Sequence, residues 1–220
     1  MKKVFFAIML VTLASVFAAA QNDDYKKGEF YVGYSNGQVD TGNNFSTSGN
    51  AVQNFFDNRT NFHGFETSGV YNLSRYVGLK ADLSATYHSD DFSFPVTTGT
   101  STQTVSGKVR SSLYNVLGGV QIKDNANSGT LKPFAHALIG LAHGRTDVTN
   151  LTCTTTANIN CANFQGGGHD NGLGMAFGGG LDIRVNDRFD IRAIQVDYNP
   201  IRSGGVTSNN LRFGVGLVIK

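Results

Sequence analysis

The sequence predicts an all-β chain: an eight-stranded antiparallel up-and-down β-barrel that spans a membrane. Three observations carry that prediction. Segment after segment alternates apolar with small or polar residues at a period of two. The connections between segments alternate long and short. The second face of each segment is glycine, serine and threonine with a few charges of both signs, which suits a narrow interior better than a sheet face turned to water.

Composition sets the outer bounds. Of 220 residues, 40% are apolar and 15% charged, against about 25% charged in an average soluble domain. With 27 Gly, 3 Pro and no Trp, the chain is neither a disordered linker nor collagen-like. The formal net charge is +2, and Lys2 and Lys3 account for it. Nothing in that balance suggests a nucleic-acid binder or a basic membrane-surface protein, and no nucleic-acid partner is expected.

Residues 1–20 read as a secretory signal peptide. Lys2 and Lys3 form the positive start, and Val4 to Phe17 form an apolar core broken only by Thr12 and Ser15. Ala18-Ala19-Ala20 is the cleavage site, leaving Gln21 first in the mature chain. The core falls short of the roughly 20 residues that a spanning helix needs. The rest, 21–220, is expected to form one domain. Its two cysteines, Cys153 and Cys161, lie in a polar stretch of an exported chain, where a disulfide is the natural expectation. Closing so short a loop would stabilise by roughly 2–3 kcal/mol. Metal binding would want more ligands at tighter spacing.

The first strand, 29–36, sets Phe30, Val32 and Tyr34 against Glu29, Tyr31, Gly33 and Ser35. The second, about 62–72, sets Phe65, Thr67, Gly69 and Tyr71 against Gly64, Glu66 and Ser68. The third, 76–88, alternates most cleanly, with Val77, Leu79, Ala81, Leu83, Ala85 and Tyr87 on one side and Lys80 and Asp82 among the residues on the other. The fourth, 109–122, is apolar on both parities around Leu113, Tyr114, Val116 and Leu117, which leaves its lipid side open. The fifth, 133–143, puts Ala135, Ala137, Ile139 and Leu141 opposite His136. The sixth, 173–185, sets Leu173, Met175, Phe177, Leu181, Ile183 and Val185 against Gly174, Ala176, Gly178, Gly180, Asp182 and Arg184. The seventh, 188–198, changes parity, and a bulge near Ala193–Ile194 would put Arg192, Gln195 and Asp197 on one polar face. The eighth, 210–220, sets Leu211, Phe213, Val215, Leu217 and Ile219 against Arg212, Gly214, Gly216 and Val218.

Residues 37–61, 89–108 and 144–171 read as long polar loops, and the Thr/Ser-rich 97–106 as low-complexity loop. Leu73-Ser74-Arg75, 123–132 and Asn186-Asp187 are short links, and 199–209 is intermediate. In hydrocarbon every backbone N–H and C=O must be paired, so spanning strands must close on themselves. Apolar-out, polar-in alternation, short turns at one end and long loops at the other are the marks of such a barrel. Phe30, Tyr34, Tyr71, Tyr76, Tyr87, Phe134, Phe177, Phe189, Tyr198 and Phe213 would form the interfacial girdles.

The stretches KPFAHALIGLAHG (132–144), FGGGLDIRVNDRFDIRAIQVDYNP (177–200) and NNLRFGVGLVIK (209–220) resemble the bacterial outer-membrane β-barrel domain family, the small eight-stranded OmpA-like and opacity-type barrels. The resemblance covers the whole mature chain. It implies an integral outer-membrane protein with both ends periplasmic, of porin-like, adhesive or structural role. It also implies outer-membrane lipid, including lipopolysaccharide, and the barrel-assembly machinery as partners. Barrels of that family usually end in an aromatic residue that the machinery reads, whereas this sequence ends Ile219-Lys220. Recognition would then use Phe213 and the neighbouring alternation, or assembly is atypical.

Nine charges, Glu29, Glu66, Lys80, Asp82, Asp182, Arg184, Arg192, Asp197 and Arg212, are expected to project inward. Eight strands leave an interior just wide enough for side chains to fill. Buried charges there must pair or cost several kcal/mol each, so the first expectation is a salt-bridged plug. The second is a narrow ion path with Lys80 and Arg192 setting selectivity. His136 and His143 sit seven apart in one strand and fall on opposite faces, against a metal pair. His169-Asp170, after the Gly166–Gly168 run, reads as a loop hinge. An enzyme would need a nucleophile beside a base, and only His63 or His88 at the outer rim could partner a serine. No catalytic residue, metal or cofactor is expected. The loops are the remaining place for function. There Phe55 and Phe56 are the best candidates for contact with a surface ligand, with Phe45, Phe92, Phe94 and Val96 as further apolar residues in polar surroundings. The leading expectation is a non-enzymatic envelope or surface protein. A low-conductance pore comes second and a lipid-modifying enzyme third.

Overall fold

The computed structural model describes residues 25–40, 59–98, 101–153 and 166–220. Eight strands follow in order: β1 (Gly28–Asp40), β2 (Arg59–Asn72), β3 (Val77–Thr98), β4 (Ser101–Lys123), β5 (Leu131–Cys153), β6 (Gly167–Arg184), β7 (Phe189–Ser203) and β8 (Val206–Ile219). Each pairs antiparallel with its neighbours in sequence, and β1 pairs with β8 from Phe30↔Ile219 to Gln38↔Leu211, which closes the barrel. Among the described residues no helix is long and apolar enough to cross a membrane. The signal peptide 1–20, Phe45, Phe55, Phe56 and Cys161 lie outside the described residues, and Cys153 is the last residue of β5.

The wall is apolar on the outside. Leu79, Val116, Ile122, Ile139, Leu141 and Val215 all point outward, Leu141 with 69% of its surface exposed. An exposed apolar band of that extent is a surface meant for lipid. The phase of β4 is now settled. Tyr114, Val116, Val120 and Ile122 face out, while Asn115, Leu117, Gln121 and Lys123 face in. Leu117 meets Leu138 and Ala176 in a small apolar cluster inside the lumen, which is why hydrophobicity alone left β4 ambiguous.

The β7 bulge falls where the parity change put it. The β7–β8 register shifts between Arg192 and Gln195, so Ala193 and Ile194 both face outward and Arg192, Gln195 and Asp197 all face inward. Phe134, expected in a girdle, is instead buried in the lumen. The reason is its partner: its ring covers the Arg192 guanidinium at 4.0 Å.

The loop boundaries also need correction. Residues 89–98 and 101–108 pair with each other as far as Thr98↔Ser101, and β5 follows β4 up to Val105↔Cys153. Three strands therefore continue beyond the wall as a hydrogen-bonded sheet. Outside the membrane a strand needs no apolar face, so alternation loses its signal, and β-branched Thr and Val with Phe supply the propensity. The Ser93–Ser106 hydroxyl pair at 3.0 Å and Phe92–Phe94 stacking at 5.7 Å accompany that extension. Residues 199–209 are not an intermediate loop either. Gly204 and Gly205, with φ of 56° and 86°, form a two-residue turn that only glycine adopts without strain, so β7 runs straight into β8.

At the opposite end the turns are held by side chains. Asn186 Oδ1 accepts the N–H groups of Arg188 and Phe189, both at 2.8 Å. Arg75 reaches Asp124 through two N–H donors at 2.8 and 2.9 Å, which holds the Asp124 carboxyl below its ordinary value.

Candidate functional site

Inward-facing charges from all the strands meet in the lumen. The chain of contacts starts where Lys123 Nζ donates to both oxygens of Glu29, at 3.0 and 2.9 Å, and to Asp182 Oδ2 at 2.9 Å. Asp182 then accepts from Arg192 Nε at 2.8 Å and Nη2 at 3.2 Å. Arg192 lies between two rings, Tyr31 at 4.3 Å and Phe134 at 4.0 Å, a cation–π clamp on its planar head. Its Nη1 donates to Gln195 Oε1 at 2.7 Å. Gln195 Nε2 in turn donates to Glu66 and Asp197, at 2.7 and 2.8 Å.

Arg212 is the second hub. Its Nε and Nη2 donate to Asp197 Oδ2 at 3.0 and 2.7 Å, and its Nη1 to Asp82 Oδ1 at 2.8 Å and Ser84 Oγ at 3.2 Å. Glu66 Oε2 stands 3.6 Å from Arg212 Nε. Lys80 Nζ lies 3.5 Å from Asp82 and 3.3 Å from His136 Nδ1, and His136 Nε2 lies 2.8 Å from Asp197 Oδ1. A neutral imidazole with its proton on Nε2 suits both of those neighbours. Nearer the short-turn end, Lys220 Nζ donates to Asp190 at 2.6 Å and Lys132 Nζ stands 3.9 Å from the same carboxylate.

Among the described residues the interior thus carries six carboxylates (Glu29, Glu66, Asp82, Asp182, Asp190, Asp197) and six cations (Lys80, Lys123, Lys132, Arg192, Arg212, Lys220). An equal count of opposite charges, each within reach of a partner, is how a buried ionic cluster avoids uncompensated desolvation. Such a cluster cross-braces the wall and occupies the lumen.

Eight of the nine expected interior charges stand in this cluster. Arg184 does not. It has the parity of Asp182 and is the last residue of β6, opposite Asp190, but at the mouth its side chain turns to the short turns and binds Asp187 and the Ser128 carbonyl, 31% exposed. That contact holds the Asp187 carboxyl below its ordinary value. Reading charges alone missed Lys123, Lys132, Asp190 and Lys220. It also undervalued Tyr31, Phe134, His136 and Gln195, which bind or clamp the ions. Inner-face parity was the signal that would have found them.

The inner glycines make room for this cluster. A Cβ on Gly178 would stand 2.2 Å from Asp197 Oδ1 and 2.2 Å from the Val196 carbonyl oxygen. Gly178→Val is therefore expected to lower stability by about 1–3 kcal/mol through overpacking, read by urea unfolding of the folded barrel in detergent. A change within experimental error would mean that the lumen is looser than these contacts show.

The rim histidines have partners other than serine. His63 Nδ1 faces the Tyr34 hydroxyl and the Asn36 amide. His88 faces Asp90 at 2.6 Å and the Asn61 carbonyl at 2.8 Å. His143 points outward as its parity requires, opposite to His136, with its ring 6.1 Å from that of His169. Asp170 accepts from the Ser203 hydroxyl. Among the described residues no group of three or more His, Cys, Asp or Glu is placed to hold a metal ion.

Comparisons with known proteins bear on the fold. A family model described as outer membrane protein beta-barrel domain matches residues 9–218. No curated protein matches the chain. Among solved structures, neisserial surface protein A is 11% identical with a TM-score of 0.50, covering 88% of this chain and 97% of its own. Ail, the attachment invasion locus protein of Yersinia pestis, solved with the heparin analogue sucrose octasulfate, is 16% identical with a TM-score of 0.48, covering 87% and 97%. The N-terminal β-barrel domain of Pseudomonas aeruginosa OprF is 11% identical with a TM-score of 0.37, covering 87% and 97%.

Proposed function

This chain belongs to the outer membrane protein β-barrel domain family, and on that premise we propose that it is a non-catalytic surface protein whose outer loops make the contacts. The observation that carries this reading is the division of labour along the barrel axis. The lumen is filled by a charge-balanced ionic cluster, while β3, β4 and β5 continue past the wall as a paired sheet. A rigid scaffold with projecting connections is the form that binding loops take. Short turns mark the periplasmic end and long loops the outer one.

The leader 1–20 exports the chain in this reading, and a Cys153–Cys161 disulfide stiffens the third outer loop. Phe55 and Phe56 are the proposed contact residues of the first. Lipopolysaccharide is the proposed lipid partner. Arg110 and Arg145 project from the outer end of the lipid-facing side, where its phosphates would lie.

The test is binding of the purified, folded protein to whole cells, matrix proteins and envelope lipids, with and without residues 44–58. Binding that disappears with the deletion supports the reading. Binding that persists unchanged, or none to any of the three, overturns it. Planar bilayers holding the same protein are expected to show no steady single-channel steps. Steps abolished by Lys80→Gln or Arg192→Gln would instead make it a pore.

A further inference from the structure

The short-turn end of the barrel opens into a cavity of about 430 Å³. Five cationic side chains line it: Lys26 and Lys27 from the segment before β1, Lys132 from β5, Arg184 from β6, and Lys220. Among the described residues two carboxylates stand against them, Glu29 and Asp187. Both are already engaged, Glu29 by Lys123 at 2.9 Å and Asp187 by Arg184. Just behind the lining, Lys132 and Lys220 converge on the single carboxylate of Asp190, and Lys220 takes the short contact, 2.6 Å against 3.9 Å. Both lysine side chains are nearly buried, with 7% and 5% of their surface exposed. Two ammonium groups sharing one carboxylate leave positive charge facing the cavity.

The mouth is also anchored. The Tyr25 hydroxyl donates to the Leu73 carbonyl at 3.3 Å, and Lys27 Nζ reaches that hydroxyl at 3.2 Å, so the lysine-bearing segment is tied to the β2–β3 turn. Asn125 and Ser128 add polar groups to the same wall. A concave site with convergent cations and neutral polar groups is complementary to an anion carrying more than one negative group. We infer that the periplasmic mouth of this barrel binds a small multivalent anion, of phosphate or carboxylate chemistry, between Lys26, Lys27, Lys132 and Lys220. The site lies at the opposite end from the outer loops, so it stands or falls apart from the proposed surface function.

The experiment titrates the full chain, folded in uncharged detergent at low salt, with pyrophosphate and with tricarballylate by calorimetry. One anion per barrel is expected, with affinity that falls as salt rises. Lys26→Gln/Lys27→Gln, which removes two charges, is expected to weaken binding about thirtyfold, and Lys132→Gln about fivefold, on the scale of losing one close charge in water per lysine. Lys108→Gln, at the outer end, is expected to change nothing. The Lys26/Lys27 variant leaves the wall intact, so its result is readable even if Lys132→Gln loosens the fold.

Preference between pyrophosphate and tricarballylate assigns the chemistry. Repeating the titration in phosphatidylglycerol and in phosphatidylcholine vesicles identifies the source: competition by phosphatidylglycerol points to a lipid headgroup, and equal affinity in both points to a free anion. Asp23 and Asp24 are the nearest acidic residues before these lysines in sequence and lie outside the described residues. The titration is therefore repeated on Asp23→Asn/Asp24→Asn. Absence of binding in both proteins overturns the proposal, as does binding that the lysine substitutions leave unaltered.

Discussion

Arg212→Met is expected to lower the unfolding free energy of the barrel by about 3–5 kcal/mol, the usual cost of removing one partner from a buried ionic cluster. Met matches the aliphatic stem of the arginine but not its guanidinium, so the loss is mainly of the buried ion pairs, with a small void where the head group stood. In the native barrel Arg212 holds Asp197, Asp82 and Ser84 by hydrogen bonds and stands 3.6 Å from Glu66. Without it, three buried carboxylates face one another with Lys80, His136 and the amide of Gln195 as their remaining close partners. The check is a urea titration of folded and variant protein in detergent. Adding Asp197→Asn to Arg212→Met removes one stranded charge while keeping an amide oxygen for His136, and should recover part of the loss. A single substitution with no effect, or a double one worse by the sum of two independent losses, would show that the cluster does not act as one unit.

That prediction rests on residues whose inward placement followed from strand parity. Lys80, Asp82, Asp182, Arg192, Asp197 and Arg212 lay on clearly polar faces, and β7 became readable once a bulge reconciled its two halves. The signal failed where the physics behind it changed. In β4 the lumen itself is apolar near Leu117, so both parities looked greasy, and Lys123 went uncounted because it was read as the first residue of the 123–132 link, whereas β4 runs to it. Phe134 looked like a girdle residue because an aromatic ring that shields a guanidinium has the same composition as one that meets lipid headgroups. Arg184 kept the right parity but ends its strand at the mouth, where a long side chain can turn to the Asp187 turn, and parity does not tell which way a rim side chain turns. Beyond the outer rim, water satisfies whatever faces it, so hydrophobic alternation had nothing to report and residues 89–108 read as loop. Gly204-Gly205 was the overlooked turn signal between β7 and β8. For the candidate site, the ionic residues were legible one by one. Their wiring was not, because the barrel register that brings β2, β3, β7 and β8 to one hub is a tertiary property.

Ile139→Lys should cost about 2–4 kcal/mol when the barrel is refolded into bilayers, the price of a cation on the lipid side near the midplane. Ile139 sits in the middle of the β5 wall, paired with Gly118 and Met175, and 54% of its surface faces outward. Exposure alone would call such a substitution harmless, since surface changes in water are usually within about 0.5 kcal/mol. The matched comparison is Val206→Lys, more exposed still at 73% but beside the Gly204-Gly205 turn at the outer tip. There the ammonium reaches water, and a change of about 0–1 kcal/mol is expected. The ordering is therefore opposite to that of the exposures, and only a low-dielectric surround can invert it. Equal small effects at both positions would mean that water, not acyl chains, meets the wall at Ile139, and the outward apolar band would need another partner.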